Sequence, residues 1–524
     1  MPSSPARETP PATPSSRTSR AGAGWRCTET ADLTGLYRPG YTPTEFNWIN
    51  PKPLWESRND RIARWIGDST DDERVRWVEA QRRKGVDPTF VVSTFADRDE
   101  LSFFLLGDPG EGDDSQYHVL GPLNACSEGI AFTYVVSDVI YPAGDVRDYW
   151  DKFFWPYQKL PGPIYAIPGN HDWYDGLHGF MIQLCDADPD LRPPAHLGKN
   201  RLKRAFLDLT WREPSEAKQE ELEEMRQLRP DPSNQPAPYF ALELKELLLV
   251  GIDTGIRGCI DAEQGAWLRE VSQRPKDKIL LTGKPLVVDA ERRTILVSGT
   301  DDTVNAIVDD PAHRYIAVVG GDIHNYQRYS VRQPDDRVVQ HIVTGAAGAY
   351  TKATHKIPRA TVEGCGCDEA DFRCYPRRGD SLAAYSVLYD RKFGFGKGLF
   401  AIPFQEAPKI MSLRLEGIDP RRAKDRAVDV SQAALRASKF VFPFSGAGIA
   451  GPLYRNFSEF LDWNDPDPPL FKSFLKVDVR PGELELRCFA ATGCAEHADN
   501  PPLEDRIRGT REGDGRWKWD VLLD

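Results

Sequence analysis

The chain has 524 residues, more than the roughly 250 to 300 over which one hydrophobic core usually grows, so its length predicts one large domain with appendages or two domains. It is 40% hydrophobic and 28% charged with a formal net charge of −12, a globular composition whose acidic balance speaks against nucleic acid as the main partner; no basic patch is evident. No stretch approaches the ~18 uncharged apolar residues of a membrane span.

Met1 to Gly24 is rich in Pro, Ser, Thr, Ala and Arg and lacks an apolar h-region, which reads as a disordered tail and not a secretory signal. Residues 25–97 carry aromatic anchors such as Trp55, Trp65 and Trp77, with helical periodicity around Asn59 to Lys84, and predict a helical region packed on the main domain. Nine cysteines, an odd number scattered along the chain, fit a reducing compartment better than a disulfide framework, so the cytoplasm is the expected location.

From residue 101 onward, short apolar runs alternate with polar loops. Leu101 to Leu106 reads as a strand buried on both faces and ends in Gly107-Asp108-Pro109-Gly110. Phe132 to Val136 ends in Ser137-Asp138, and Ile164 to Ile167 runs into Gly169-Asn170-His171-Asp172. A polar insertion follows at 186–238, with an acidic helix candidate at Pro214 to Gln227. The rhythm resumes at Leu247 to Ile252, a helix signature at Ala262 to Val271, and Lys278 to Leu281 ending in Thr282-Gly283-Lys284-Pro285. Ile316 to Val319 ends in Gly320-Gly321-Asp322-Ile323-His324, and Val338 to Val343 closes on a small-residue turn. Such alternation predicts an α/β architecture with strand ends converging on one site. Residues 351–465 read as an accessory region; Phe471 to Val479 and Glu483 to Phe489 flank Arg480-Pro481-Gly482 as a hairpin.

The loops carry the chemistry. Asp108, Asp138, Asn170 and His324 are oxygen and nitrogen donors, and the lack of cysteine among them points to Mn, Fe or Zn in a mixed site. One carboxylate between two strands can bridge two cations, which would hold a nucleophilic hydroxide and a phosphoryl oxygen.

In this order the stretches Gly107-Asp108-Pro109-Gly110, Ser137-Asp138-Val139-Ile140-Tyr141, Gly169-Asn170-His171-Asp172, Thr282-Gly283-Lys284-Pro285 and Gly321-Asp322-Ile323-His324 resemble the calcineurin-like metallophosphoesterase superfamily, in a variant similar to the purple acid phosphatases. The resemblance spans about residues 98 to 350. It implies a two-sheet β-sandwich with helices on both outer faces (α/β/β/α), the core being 98–350 completed by C-terminal strands within 466–524. It also implies a first metal on Asp108, Asp138, Tyr141 and His324, and a second, weaker one on Asp138, Asn170 and Asp322. Two histidines usual for the second metal are replaced here by Gly283 and Asp322. His171, with Asp172 beside it, would assist the leaving oxygen, and Lys284 and Arg328 are candidates for contacting substrate.

Each residue also has a plainer reading. Tyr141 can be a buried, hydrogen-bonded tyrosine, Asp322 a turn or capping residue, and Lys284 and Arg328 surface cations. Cys365-Gly366-Cys367 and Cys374 with His355 could hold zinc, but the irregular spacing favours free thiols. The expected function is metal-dependent hydrolysis of a small-molecule or macromolecular phosphate mono- or diester. The alternative is a silent relative that keeps the fold as a binding or scaffold module because its second metal site is eroded.

Overall fold

The computed structural model describes residues 27–43, 51–66, 68–190, 209–229, 231, 233, 235–362, 364, 366–418, 429–441 and 469–523. The tail expected at 1–24 lies outside the described residues, as does the part of the accessory region at 442–465.

Three helices come first, α1 (Pro51–Glu56), α2 (Arg58–Ile66) and α3 (Thr70–Arg83). In α3 the acidic residues Asp71, Asp72 and Glu73 sit in the first turn and Arg82 and Arg83 in the last, which complements the helix dipole. The strands in chain order are β1 (Val91–Phe95), β2 (Leu101–Gly107), β3 (Ile130–Val136), β4 (Ile164–Ile167), β5 (Phe240–Leu244), β6 (Leu247–Ile252), β7 (Asp277–Thr282) and β8 (Tyr315–Gly320). They continue as β9 (Tyr326–Arg332), β10 (Val338–Thr344), β11 (Phe372–Tyr375), β12 (Lys472–Arg480), β13 (Glu483–Ala491), β14 (Leu503–Arg511) and β15 (Trp517–Val521).

These strands build two mixed sheets. The first has eight strands in the order β1-β5-β6-β7-β8-β10-β9-β11, and the second has seven in the order β15-β14-β13-β12-β2-β3-β4. Strand β2 shows why its sequence is apolar throughout: Phe103 and Leu105 enter the core between the sheets, while Phe104 and Leu106 pack under the helices outside. Phe103 stacks on Phe132 and Tyr134 on Phe240, ring centroids 4.7 and 5.7 Å apart, joining β2 to β3 and the two sheets to each other. Helix Ala262–Ser272 covers the first sheet through Leu268 and Val271, and helix α4 (Asp114–Ala125) covers the second through Tyr117 and Leu120. The result is an α/β/β/α sandwich of the metallophosphoesterase type, as the motif order implied.

The hairpin β12–β13 reaches the core by register: Leu475 pairs with Leu105 and Val477 with Phe103, antiparallel, so β12 extends β2. The insertion helix is shorter than its acidic sequence suggested, Gln219–Gln227 in place of Pro214 to Gln227. A disulfide joins Cys27 to Cys494 across 467 residues. It corrects the expectation that the cysteines stay reduced.

Candidate functional site

Parallel strands β2, β3 and β4 of one sheet and β7 and β8 of the other end at the same edge of the sandwich. Their loops meet there, as open α/β sheets arrange their ligand crevices. Three of the loop residues, Asp108, Ser137 and Asp322, take left-handed backbone angles of φ 55°, 77° and 66°. Side chains on L-residues resist this region, so the conformations persist because surrounding contacts hold them.

One such contact is direct: the backbone N–H of Asp322 donates to Asp108 Oδ2 at 2.9 Å, tying the ends of β2 and β8. Asp172 ties the others. Its carboxylate accepts from the backbone N–H groups of Val139 (2.9 Å), Gly169 (3.0 Å) and Ile140 (3.2 Å), is fully buried, and does not line the cleft. The N–H of His171 donates to Asp138 Oδ1 at 2.7 Å, and its ring Nδ1 donates to the carbonyl of Pro142 at 2.8 Å, which fixes the tautomer and turns Nε2 away from that carbonyl.

At the centre of the first half lies the Tyr141 hydroxyl. It is 2.9 Å from Asp138 Oδ2, 3.0 Å from His324 Nε2 and 3.2 Å from Asp108 Oδ1. His324 donates through Nδ1 to the carbonyl of Tyr350 at 2.8 Å, so its Nε2 is an acceptor. A phenol has one proton for these three neighbours. Burial, reinforced by Asp138 and Asp322, pushes the Asp108 carboxyl well above its usual range. Burial and nearby Lys352 hold the His324 imidazole well below its ordinary value, hence neutral.

In the second half an ammonium takes the central place. Lys284 Nζ lies 2.5 Å from Asp322 Oδ1 and donates to Asn170 Oδ1 at 3.1 Å, while Asn170 Nδ2 donates to the Tyr174 hydroxyl at 2.7 Å. Burial opposes the charge on Asp322, yet Lys284 and Lys352 beside it hold that carboxyl well below its usual range. Above both halves opens a cleft of about 260 Å³, lined by Leu54 of α1, Ser57 of the turn after it, Asp60 and Arg61 of α2, and Tyr350 and Lys352. A larger cavity of about 590 Å³ between Lys84 and Pro236 touches none of these residues.

The geometry corrects the expected chemistry. Among the described residues, no group of three or more His, Cys, Asp or Glu side chains is arranged to hold a metal ion. That overturns the metal-bound hydroxide, the phosphoesterase (phosphoric ester hydrolase) activity resting on it, and the Mn, Fe or Zn cofactor with one tight and one weak site. Asp108, Asp138, Tyr141, Asn170, Asp322 and His324 do converge, but Asp108, Asp138 and His324 face the Tyr141 hydroxyl, and Asn170 and Asp322 face the Lys284 ammonium.

Other assignments move too. Arg328 lies in mid-strand on β9, 1% exposed, paired with Asp505 at 2.6 Å, and is absent from the cleft lining. Lys284 faces Asp322 and Asn170 in place of open solvent. Of the proposed zinc cluster, Cys365 lies outside the described residues, Cys367 packs in a small apolar cluster with Val331 and Phe372, and His355 Nδ1 is 2.9 Å from the Ser381 hydroxyl. Sequence reasoning missed Arg61, Tyr350 and Lys352. Only the helical periodicity around Asn59 and the small-residue turn after β10 hinted at their surroundings.

Sheet order and strand-end loops together define a metallophosphoesterase-like sandwich, and at the superfamily level the chain resembles the calcineurin-like group. Among solved structures, a purple acid phosphatase from yellow lupin (Lupinus luteus) seeds is similar with a TM-score of 0.37 and 10% identity over 80% of this chain and 55% of that one. The chain thus spans about half the length of the lupin protein. PhoD matches with a TM-score of 0.35 and 8% identity over 82% of this chain and 72% of that one. GAP50, the anchor in the inner membrane complex of Plasmodium, matches with a TM-score of 0.29 and 11% identity over 48% of this chain and 74% of that one. No protein-family model and no curated protein sequence matches the chain.

Proposed function

We propose that this chain is a catalytically silent protein of the metallophosphoesterase fold, a binding module that holds a phosphate-bearing ligand, small-molecule or macromolecular, without hydrolysing it. The observation that carries the reading is the Tyr141 hydroxyl, which sits 2.9 to 3.2 Å from Asp138, His324 and Asp108 and engages the atoms a cation would need. Arg61 and Lys352 on the cleft lining, beside the carboxylates of Asp60, Asp138 and Asp322, are the cations that would meet a phosphate.

Residues 98–350 with 466–524 would form the ligand-holding body, with 25–97 contributing its roof, 186–238 a flanking insertion and 351–465 an accessory region. No helix among the described residues is long and apolar enough to cross a membrane. For location, the Cys27–Cys494 bond favours an oxidising compartment over the cytoplasm expected from the cysteine count.

Thermal unfolding of the full chain in inorganic phosphate and in an aryl phosphate, together with turnover of that ester in Mn, Fe and Zn, tests the proposal. A binding ligand at a hundred times its Kd should stabilise by about 2.7 kcal/mol. The expected result is a raised midpoint with no turnover. Hydrolysis above buffer in any of the three cations refutes silence, and an unmoved midpoint refutes the ligand.

A further inference from the structure

The second half of the cleft departs from a cation site by substitution as well as by loss. Gly283 stands where the superfamily resemblance calls for a histidine, and a Cβ there would lie 2.9 Å from Thr254 Oγ1 and 3.1 Å from the carbonyl of Pro168, too close without a shift of one of them. The next residue fills the gap from the other side. The Lys284 stem runs beside Gly258, where an added Cβ would come within 3.3 Å of Lys284 Cδ, and its ammonium ends between Asn170 and Asp322. Thr282 braces the turn by donating from its hydroxyl to the Lys284 carbonyl at 2.9 Å, and Lys352 donates to the Asp322 carbonyl at 3.2 Å. The Lys284 side chain is 22% exposed and that of Asp322 19%, so solvent screens the pair only in part.

From this arrangement we propose that the Lys284 ammonium is a tethered counter-ion in the place of a second metal, joining Asn170 to Asp322 beside the cleft and balancing the Asp322 charge without a divalent cation. The inference rests on the silent reading above and deepens it: ligand capture in this cleft is insensitive to chelators. A divalent ion at Asp322 Oδ1 would have to displace an ammonium that cannot diffuse away, and one elsewhere on that carboxylate would sit close to a like charge that repels it.

Two measurements on the full chain test this. In the wild type, reductive methylation read by mass spectrometry should modify Lys284 more slowly than exposed Lys397, and added Mn²⁺ should change neither that rate nor the unfolding midpoint. In Lys284→Ala, the freed Asn170 and Asp322 should gain a cation response, with Mn²⁺ raising the midpoint by about 2–4 °C. Lys284→Arg should stay unresponsive. Mn²⁺ that stabilises the wild type or speeds methylation of Lys284 overturns the proposal, as does a folded Lys284→Ala protein indifferent to Mn²⁺. If that variant does not fold, the wild-type labelling decides alone. Turnover of an ester is read separately, so a failure of silence and a failure of the tether are distinguishable.

Discussion

The two halves of the cleft solve one problem by different means. Around Tyr141 the superfamily-type residues Asp108, Asp138 and His324 all remain, and a neutral hydroxyl lies between them beside a carboxyl whose pKa is raised by burial. Around Lys284 the residues themselves have changed, and a full ion pair does the joining. The difference teaches that a retained motif does not by itself preserve a cation site: what matters is which group occupies the middle of the donors. It also gives the halves opposite responses to protons.

The largest effect should come from the charged half. Asp322→Asn would leave the Lys284 ammonium without its carboxylate in a partly buried place, and we expect a loss of about 2–4 kcal/mol in chemical denaturation. A change under half a kcal/mol would mean that the pair is ornamental and that the halves do not differ as described. Removing the hydroxyl in Tyr141→Phe should cost less, about 1–2 kcal/mol, because Asp138 and Asp108 each keep a backbone N–H on the other carboxylate oxygen. Equality of the two variants would erase the comparison.

The smallest effect has the opposite sign. Asp108 has its pKa raised on folding, so its contribution to stability is fully present below the ordinary carboxylate value and is lost as pH rises through the raised one. Asp322 has its pKa lowered, so its contribution is present above the ordinary value and is lost as pH falls through the lowered one. Asp108→Asn should therefore be neutral or stabilising by up to about 1 kcal/mol above the ordinary carboxylate range, and should flatten the decline of stability as pH rises from that range. An unchanged slope would show that the Asp108 carboxyl does not keep its proton.

Much of this was legible from local pattern. Strand Ile164–Ile167 and strand Leu247–Ile252 match their apolar runs residue for residue, because both faces of each are buried and nothing polar interrupts them. The strand-end position of Asp108, Asp138, Asn170 and His324 was readable for the same reason. Strand β9 was not: its Arg328 reads in the sequence as a substrate contact or a surface cation. Its burial becomes intelligible only with Asp505, 177 residues on, which also accepts from the Tyr326 hydroxyl at 2.8 Å. Likewise β14 alternates Glu504, Arg506 and Arg508 with Asp505 and Ile507, and its inward face carries a carboxylate where the pattern rule looks for apolar residues. The spacing around Gly283 located the second half-site, but the partner chosen by a flexible lysine depends on which loops the fold brings to it.

The bond between Cys27 and Cys494 closes a ring that contains every strand from β1 to β13 and leaves only β14 and β15 outside it. A single peptide-bond cut anywhere between those two cysteines therefore opens a circle without parting it, and the two pieces travel as one band until a reductant is added. The roof helices and the strand-end loops would stay on one covalent body after such a cut, so an oxidised, nicked molecule and its reduced counterpart separate the role of chain continuity from that of the cleft.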